Sequence, residues 1–153
     1  MENKVKVRKF NINNQIVKIN YESIDLSDNE PKFIELNIST SAIIFNETID
    51  LINKEENKII ISLENVNYID SHGLWDLFEI CKALIKKEKA LAIVNVCSEV
   101  KRVLDITGIS SKIKIFEKDS IASDLCPFDI KGVPVEAIAH LEKSVKNIEG
   151  VGD

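Results

Sequence analysis

Two neighbouring stretches, Lys58-Ile59-Ile60-Ile61-Ser62-Leu63 and Val66-Asn67-Tyr68-Ile69-Asp70-Ser71-His72-Gly73-Leu74, set the architecture of this chain. The first is short and apolar on both of its alternating faces, as in a sheet strand covered on both sides. The second is a polar break between that run and an amphipathic helix. Beyond the break, Leu74, Leu77, Phe78, Cys81, Leu84 and Ile85 recur at spacings of three and four and form one buried stripe. Asp76, Glu79, Lys82 and Lys86 then face outward. A covered strand that runs into an amphipathic helix is the unit of a layered α/β sheet.

The break places Ser71 at the mouth of the helix, where its side chain reads as the N-cap. The first backbone N–H groups and the positive end of the helix dipole point at the serine oxygen, so a phosphate there is electrostatically favoured. Phosphorylation would add about −1.5 to −2 charges at neutral pH without melting the helix. As a cap alone, the serine would contribute about 0.5–2 kcal/mol and carry no further meaning. A structural cap and a surface switch are both open readings of Ser71 at this point.

On either side of this unit the pattern alternates. Val5, Val7 and Phe10, the Asn13-Asn14 pair, and Ile16, Val17, Ile19 and Tyr21 predict a hairpin, since paired asparagines suit a tight turn with positive φ. Asp25 to Pro31 is a polar loop. Ile38, Ala42, Phe45, Ile49 and Ile52 follow helical spacing and predict a buried stripe, with Ser39, Thr40 and Ser41 as caps. A strand follows at Leu91-Ala92-Ile93-Val94-Asn95-Val96. A third helix is capped by Ser98 and stopped by Gly108, and a last strand spans Ile113 to Phe116.

Taken in order, Asp70-Ser71-His72-Gly73-Leu74, the helix after it, the Leu91 strand and Val100-Lys101-Arg102-Val103-Leu104-Asp105-Ile106-Thr107-Gly108-Ile109 resemble the STAS domain of bacterial anti-sigma factor antagonists. The pattern of that family is Asp-Ser-Ser/Thr-Gly-Leu, an apolar strand, then Val-Lys-Arg, two hydrophobic residues, Asp/Glu, a hydrophobic residue, Ser/Thr and Gly. The resemblance covers Lys58 to Phe116. It implies an α/β, STAS-like layered fold: a mixed open sheet of about four to five strands against about four helices, plus an additional C-terminal helix. It also implies that Ser71 is a regulatory phosphoserine, switched by a serine kinase that doubles as an anti-sigma-type regulator and reset by a Ser/Thr phosphatase. Two departures bear on the identity of the partner. His72 stands where the family has a second hydroxyl residue, and Phe33-Ile34-Glu35-Leu36-Asn37 lacks the glycine and the aspartate of the family's Gly-Glu-Leu-Asp.

Composition excludes several function classes. A net charge of −5 with no basic stripe argues against direct nucleic-acid binding. No apolar run approaches the roughly 18 residues of a membrane span, and Met1-Glu2-Asn3-Lys4-Val5 lacks a signal-peptide core, so a cytoplasmic protein is expected. Cys81, Cys97 and Cys126 have none of the paired spacings of zinc or redox motifs and read as free thiols. Adjacent Asp70, Ser71 and His72 cannot form a hydrolytic triad, because neighbours at a helix start point in different directions and no Gly-x-Ser-x-Gly elbow is present. His72 and Asp76 have the i, i+4 spacing of metal ligands, but no third ligand accompanies them. His140 lies on the distant last helix. No glycine-rich phosphate loop is present, and neither cofactor, metal nor catalytic residue is expected.

Residues 1–125 are expected to form the STAS-like domain, and 126–153 a linker around Cys126-Pro127 and Gly132-Val133-Pro134 followed by an amphipathic helix. Its stripe of Ala137, Ile138, Leu141, Val145 and Ile148 needs a groove, on this domain or on a second copy as a homodimer. Trp75, four positions after Ser71, shares the face of that serine, either as an exposed interface anchor or covered by the amino-terminal loop or the last helix. The expected partner surface is Asp70, Ser71, His72, Gly73 and Trp75, rimmed by Asp76 and Glu79. The alternative is a non-phosphorylated STAS subunit of a larger assembly, such as a lipid-transport or signalling complex.

Overall fold

A computed structural model of the chain describes residues 5–12, 14–24, 32–116, 138–139 and 142–143. Strands β1 (Val5–Asn11) and β2 (Ile16–Ser23) form the expected antiparallel hairpin. After β3 (Ile34–Leu36) and helix α1 (Ile38–Leu51) come β4 (Lys58–Ser62), β5 (Val66–Ile69) and helix α2 (Ser71–Lys86). Strand β6 (Ala90–Val94), helix α3 (Ser98–Thr107), a short 3-10 turn at Ile109–Ser111 and β7 (Lys114–Phe116) complete the described domain. The main sheet runs β1-β2-β4-β6-β7, with β2, β4, β6 and β7 parallel. It is the mixed, five-stranded sheet of a layered α/β fold; three α-helices are described against it, fewer than the sequence led one to expect.

Alternation along the strands separates two apolar faces. Val17, Ile19, Tyr21, Ile59, Ile61, Leu91 and Ile93 join the main core, whereas Ile16, Ile60, Ala90, Ala92 and Val94 with Phe116 make a second cluster on the opposite face. The buried apolar residues of α1, α2 and α3 all belong to the main core, so these helices lie on one side of the sheet. All six residues of the α2 stripe are buried, joined by Ile80. Gly108 ends α3 in the left-handed region, φ 83°, a conformation that side chains resist.

Helix α1 departs from its expected stripe. Ile38 and Ala42 are exposed, Phe45, Ile49 and Ile52 are half-buried, and the buried face carries Thr40, Ser41, Ile44 and Thr48. The helix is rotated because hydroxyls on this face meet buried partners: Thr48 Oγ1 shares a 3.1 Å hydrogen bond with Tyr21, and Thr40 Oγ1 donates to the Glu35 carbonyl at 2.7 Å. An apolar count weighted Ile38 and Ala42 correctly as hydrophobic but could not see those acceptors. The caps differ as well. Asn37, not Ser39 or Ser41, caps α1, its Oδ1 accepting from Ser39 N–H at 2.9 Å while Thr40 Oγ1 accepts from Asn37 N–H at 3.1 Å. Ser98 is the first residue of α3 rather than its cap; Cys97 holds the cap position and makes no side-chain cap bond. Asn13, the loop 25–31, Cys126 and His140 lie outside the described residues.

The turn after α1 is held by charge. Glu56, 7% exposed, accepts from Lys9 Nζ at 2.6 Å and from Asn53 N–H at 2.8 Å, and Lys89 Nζ donates to the Asn53 and Lys54 carbonyls at 3.0 Å each. Burial pushes the Glu56 carboxyl pKa up, but the bonds from Lys9 and Asn53 and the charges of Lys9 and Lys89 outweigh it, and the net shift is downward. A carboxyl lowered in the folded state stabilises the fold above its unfolded value of roughly 4.3, and this contribution is lost as the pH falls through the folded value. Glu56→Gln should therefore cost about 1–3 kcal/mol at pH 7. In thermal melts the gap between the variant and the parent should close below pH 4; a gap that stays constant down to pH 3 would rule out an ionic role.

Candidate functional site

The polar break read between Ser62 and the second helix is in fact a strand. Val66–Ile69 pairs in parallel with Ile34–Leu36, and each strand runs straight into a helix, α1 capped by Asn37 and α2 by Asp70. Register places Leu36 beside Ile69, so the two helix starts emerge side by side. The Asp70 N–H donates to the Leu36 carbonyl at 3.1 Å, which ties the α2 start to the end of β3. Gly73 is buried against the same residue. A Cβ there would overlap the Leu36 carbonyl and crowd the Leu36 side chain, so glycine is what allows the first turn of α2 to approach β3.

Ser71 does not cap the helix. Asp70 takes that role, its Oδ1 accepting from Gly73 N–H at 2.9 Å and its carbonyl from Leu74 N–H at 2.8 Å. The carboxylate is a stronger acceptor than a hydroxyl for the Gly73 N–H, and Ser71 becomes the first helical residue, half-buried. Among the described residues its hydroxyl has no hydrogen-bond partner. His72, next in the first turn, is exposed. Among the described residues no group of three or more His, Cys, Asp and Glu side chains is placed to hold a metal ion.

The expected partner residues fall into two groups. Asp70, Ser71 and His72 present the helix start, with Gly73 buried behind them. Trp75, Asp76 and Glu79 run down the side of α2 and are all half-buried. Trp75 packs on the main core with its ring centroid 5.5 Å from that of Phe78 at an interplanar angle of 44°. Glu79 lies about 12 Å along the helix axis from Ser71, at a rise of about 1.5 Å per residue. Cys81 is buried in the core, where burial pushes its thiol up to about 12, and Cys97 is exposed.

Several large apolar side chains near this site are exposed. Phe33 and Ile38, at the two ends of β3, are 58% and 69% exposed, Tyr68 on β5 is 49% exposed and Ile106 on α3 is 62% exposed. Tyr68 precedes Ser71 by three residues and lines a shallow groove with Ile69, Glu99, Val100, Arg102 and Val103. Of these exposed apolar residues, Tyr68 combines an apolar face with a groove beside the helix start, a combination suited to contact with a protein. The exposure of Tyr68 follows no two-residue alternation, because the pairing with β3 shifts register between Val66 and Tyr68 and leaves Asn67 and Tyr68 both facing out.

Comparison with known proteins agrees with this fold. The family model described as STAS domain matches residues 34–120. The anti-sigma-B factor antagonist of Staphylococcus aureus is 37% identical over 59 residues, covering 39% of this chain and 55% of the relative, so the chain spans about half the length of that relative. A provisionally named anti-sigma factor antagonist of Thermotoga maritima is 32% identical over 91 residues, 59% of this chain and 80% of that protein. The Bacillus protein SpoIIAA shares the fold. Its unphosphorylated form superposes with a TM-score of 0.57 at 15% identity, covering 78% of this chain and 96% of that one. Its phosphorylated form gives 0.54 at 13%, covering 79% and 100%.

The packing of Leu36 against the first turn of α2 gives a direct test. Gly73→Ala should destabilise the fold by at least about 1–3 kcal/mol, since backbone must move to admit the methyl group. Asp70→Ala should cost about 0.5–2 kcal/mol through the lost cap. Urea unfolding of the two variants measures both, and an unchanged midpoint for Gly73→Ala would contradict the close approach to Leu36.

Proposed function

We propose, for a chain that belongs to the STAS domain family, that it is a partner-switching regulator of the anti-sigma factor antagonist type with Ser71 as its phosphoacceptor. The observation that carries this reading is the division of labour at the α2 start. Asp70 caps the helix, and the Ser71 hydroxyl, beside it, is left without a structural hydrogen bond among the described residues. Support also comes from relatives named as anti-sigma factor antagonists, and from SpoIIAA, solved both with and without phosphate. Among the described residues no helix is long and apolar enough to cross a membrane.

The switch follows from charge and solvation. In the unmodified state the helix start offers Ser71 and the exposed imidazole of His72, with Phe33, Ile38, Tyr68 and Ile106 displayed on the flanking elements. A serine kinase that doubles as an anti-sigma-type regulator docks there, and docking frees the target of that regulator. Phosphorylation sets a dianion at the positive end of α2, where the dipole stabilises it in the free protein. In the complex the same dianion is buried beside the Asp70 carboxylate, and desolvation and like-charge repulsion oppose the contact. A Ser/Thr phosphatase restores the docking state. His72, in place of the family's second hydroxyl, gives the kinase a different group to recognise.

The test uses the kinase that copurifies with the Ser71→Ala chain. Its affinity for Ser71→Ala should match that for the unmodified protein, while Ser71→Asp should bind at least about tenfold more weakly, a change of about 1.4 kcal/mol. Equal affinity of the two variants would contradict the switch and indicate a fixed STAS subunit. Tyr68→Ala should weaken the same complex by about 1–2 kcal/mol while leaving the unfolding midpoint unchanged, because the ring is half exposed.

A further inference from the structure

The side of α2 that the sequence assigns to solvent is partly covered. Trp75, Asp76, Glu79 and Lys82 are half-buried, whereas Lys86, one turn beyond Lys82, is exposed. Lys82 pairs with Glu142 at 3.5 Å across 60 positions of sequence. Residues 138–139 and 142–143 are helical, and Ile138, 6% exposed, belongs to the main core. Ile138 and Glu142 are four positions apart and share one helix face. Trp75, Phe78 and Lys82 likewise form one stripe of α2, at i, i+3 and i+7. Glu142 sits on Lys82 of that stripe, and Ile138, four positions before it, is buried in the same core that Phe78 belongs to and Trp75 packs against.

We propose that the helical segment carrying Ile138 and Glu142 is a built-in partner for the Trp75–Phe78–Lys82 stripe, a clasp that withholds the flank of α2 from outside proteins and leaves the Ser71 end as the surface on offer. The ion pair and the burial of Ile138 in the chain's own core make the occupant this chain itself rather than a second copy: both are formed within one molecule. The clasp narrows the partner surface, since Trp75 and Glu79 then serve the chain's own helix. This consequence for binding rests on the reading of Ser71 given above, while the clasp itself rests only on α2 and residues 138–143.

Trp75 is the sole tryptophan of the chain, so its fluorescence reports the clasp without a label. Ile138→Asp in the full chain should shift the emission to the red and steepen quenching by acrylamide, and a chain ended after Ala137 should do the same. Lys82→Glu should produce a smaller shift that Lys82→Glu with Glu142→Lys reverses. Emission and quenching identical in the full chain, Ile138→Asp and the shortened chain would overturn the proposal, as would failure of the double reversal to restore the parent spectrum. If Ile138→Asp unfolds, the shortened chain and the charge-reversal series decide alone. These readouts need no kinase and no phosphate, so they separate failure of the clasp from failure of the phosphoswitch.

Discussion

The contact between Leu36 and the first turn of α2 is the constraint on which the rest of the site depends. One carbonyl receives the Asp70 N–H, and the same residue leaves no room for a Cβ at position 73. Together with the parallel pairing of β3 and β5, they hold the two helix starts side by side. Helix α2 can then bury Leu74, Leu77, Phe78, Ile80, Cys81, Leu84 and Ile85 against the sheet with its positive end facing out beside α1. Full burial of each such side chain is worth about 1.5–3 kcal/mol, so the helix is anchored by its core face and its first turn can be spared for recognition.

Electrostatics makes that turn sensitive to a single modification. Unsatisfied N–H groups and the helix dipole favour an anion at Ser71, and Asp70 already supplies one of the acceptors. Under the proposed mechanism a phosphate would be tolerated by the free domain and penalised mainly where a partner buries it. The arrangement concentrates the energetic difference in the complex, which is what a switch requires: a ligand or modification shifts an equilibrium only by its differential interaction with the two states. The lysine and glutamate contacts around Glu56 lie at the opposite end of α1, where they hold the chain reversal into β4.

Much of this was readable from sequence where apolar spacing was long and unmixed. The α2 stripe, the fully covered β4 and β6, the hairpin and the stop at Gly108 followed directly from side-chain periodicity and backbone preference. Reading failed where polar groups carry the structure. Helix α1 packs through Ile44, Thr40, Ser41 and Thr48 as well as through Phe45, Ile49 and Ile52, and because the hydroxyl partners at Glu35 and Tyr21 are on the backbone or distant in sequence, an apolar count found only one edge of the packed face. The short β3 and β5 contain too few residues to display alternation. Ser71 was assigned the cap because serine is a good one, yet the adjacent aspartate reaches Gly73 N–H; the two candidates differ by one position, and only the backbone geometry separates them. The exposure of Ile38 goes against the stripe read for the first helix, and that of Tyr68 depends on the irregular pairing of β3 with β5.

Phosphorylation at a helix start that already has its own cap is the heart of the proposed mechanism, and intact mass with site mapping on protein isolated from its native cells examines it without assuming a partner. The mechanism predicts a fraction heavier by one phosphoryl group, mapping to Ser71 alone and changing in amount with growth or stress. Protein that remains uniformly unmodified across those conditions, or phosphate that maps elsewhere, would contradict it.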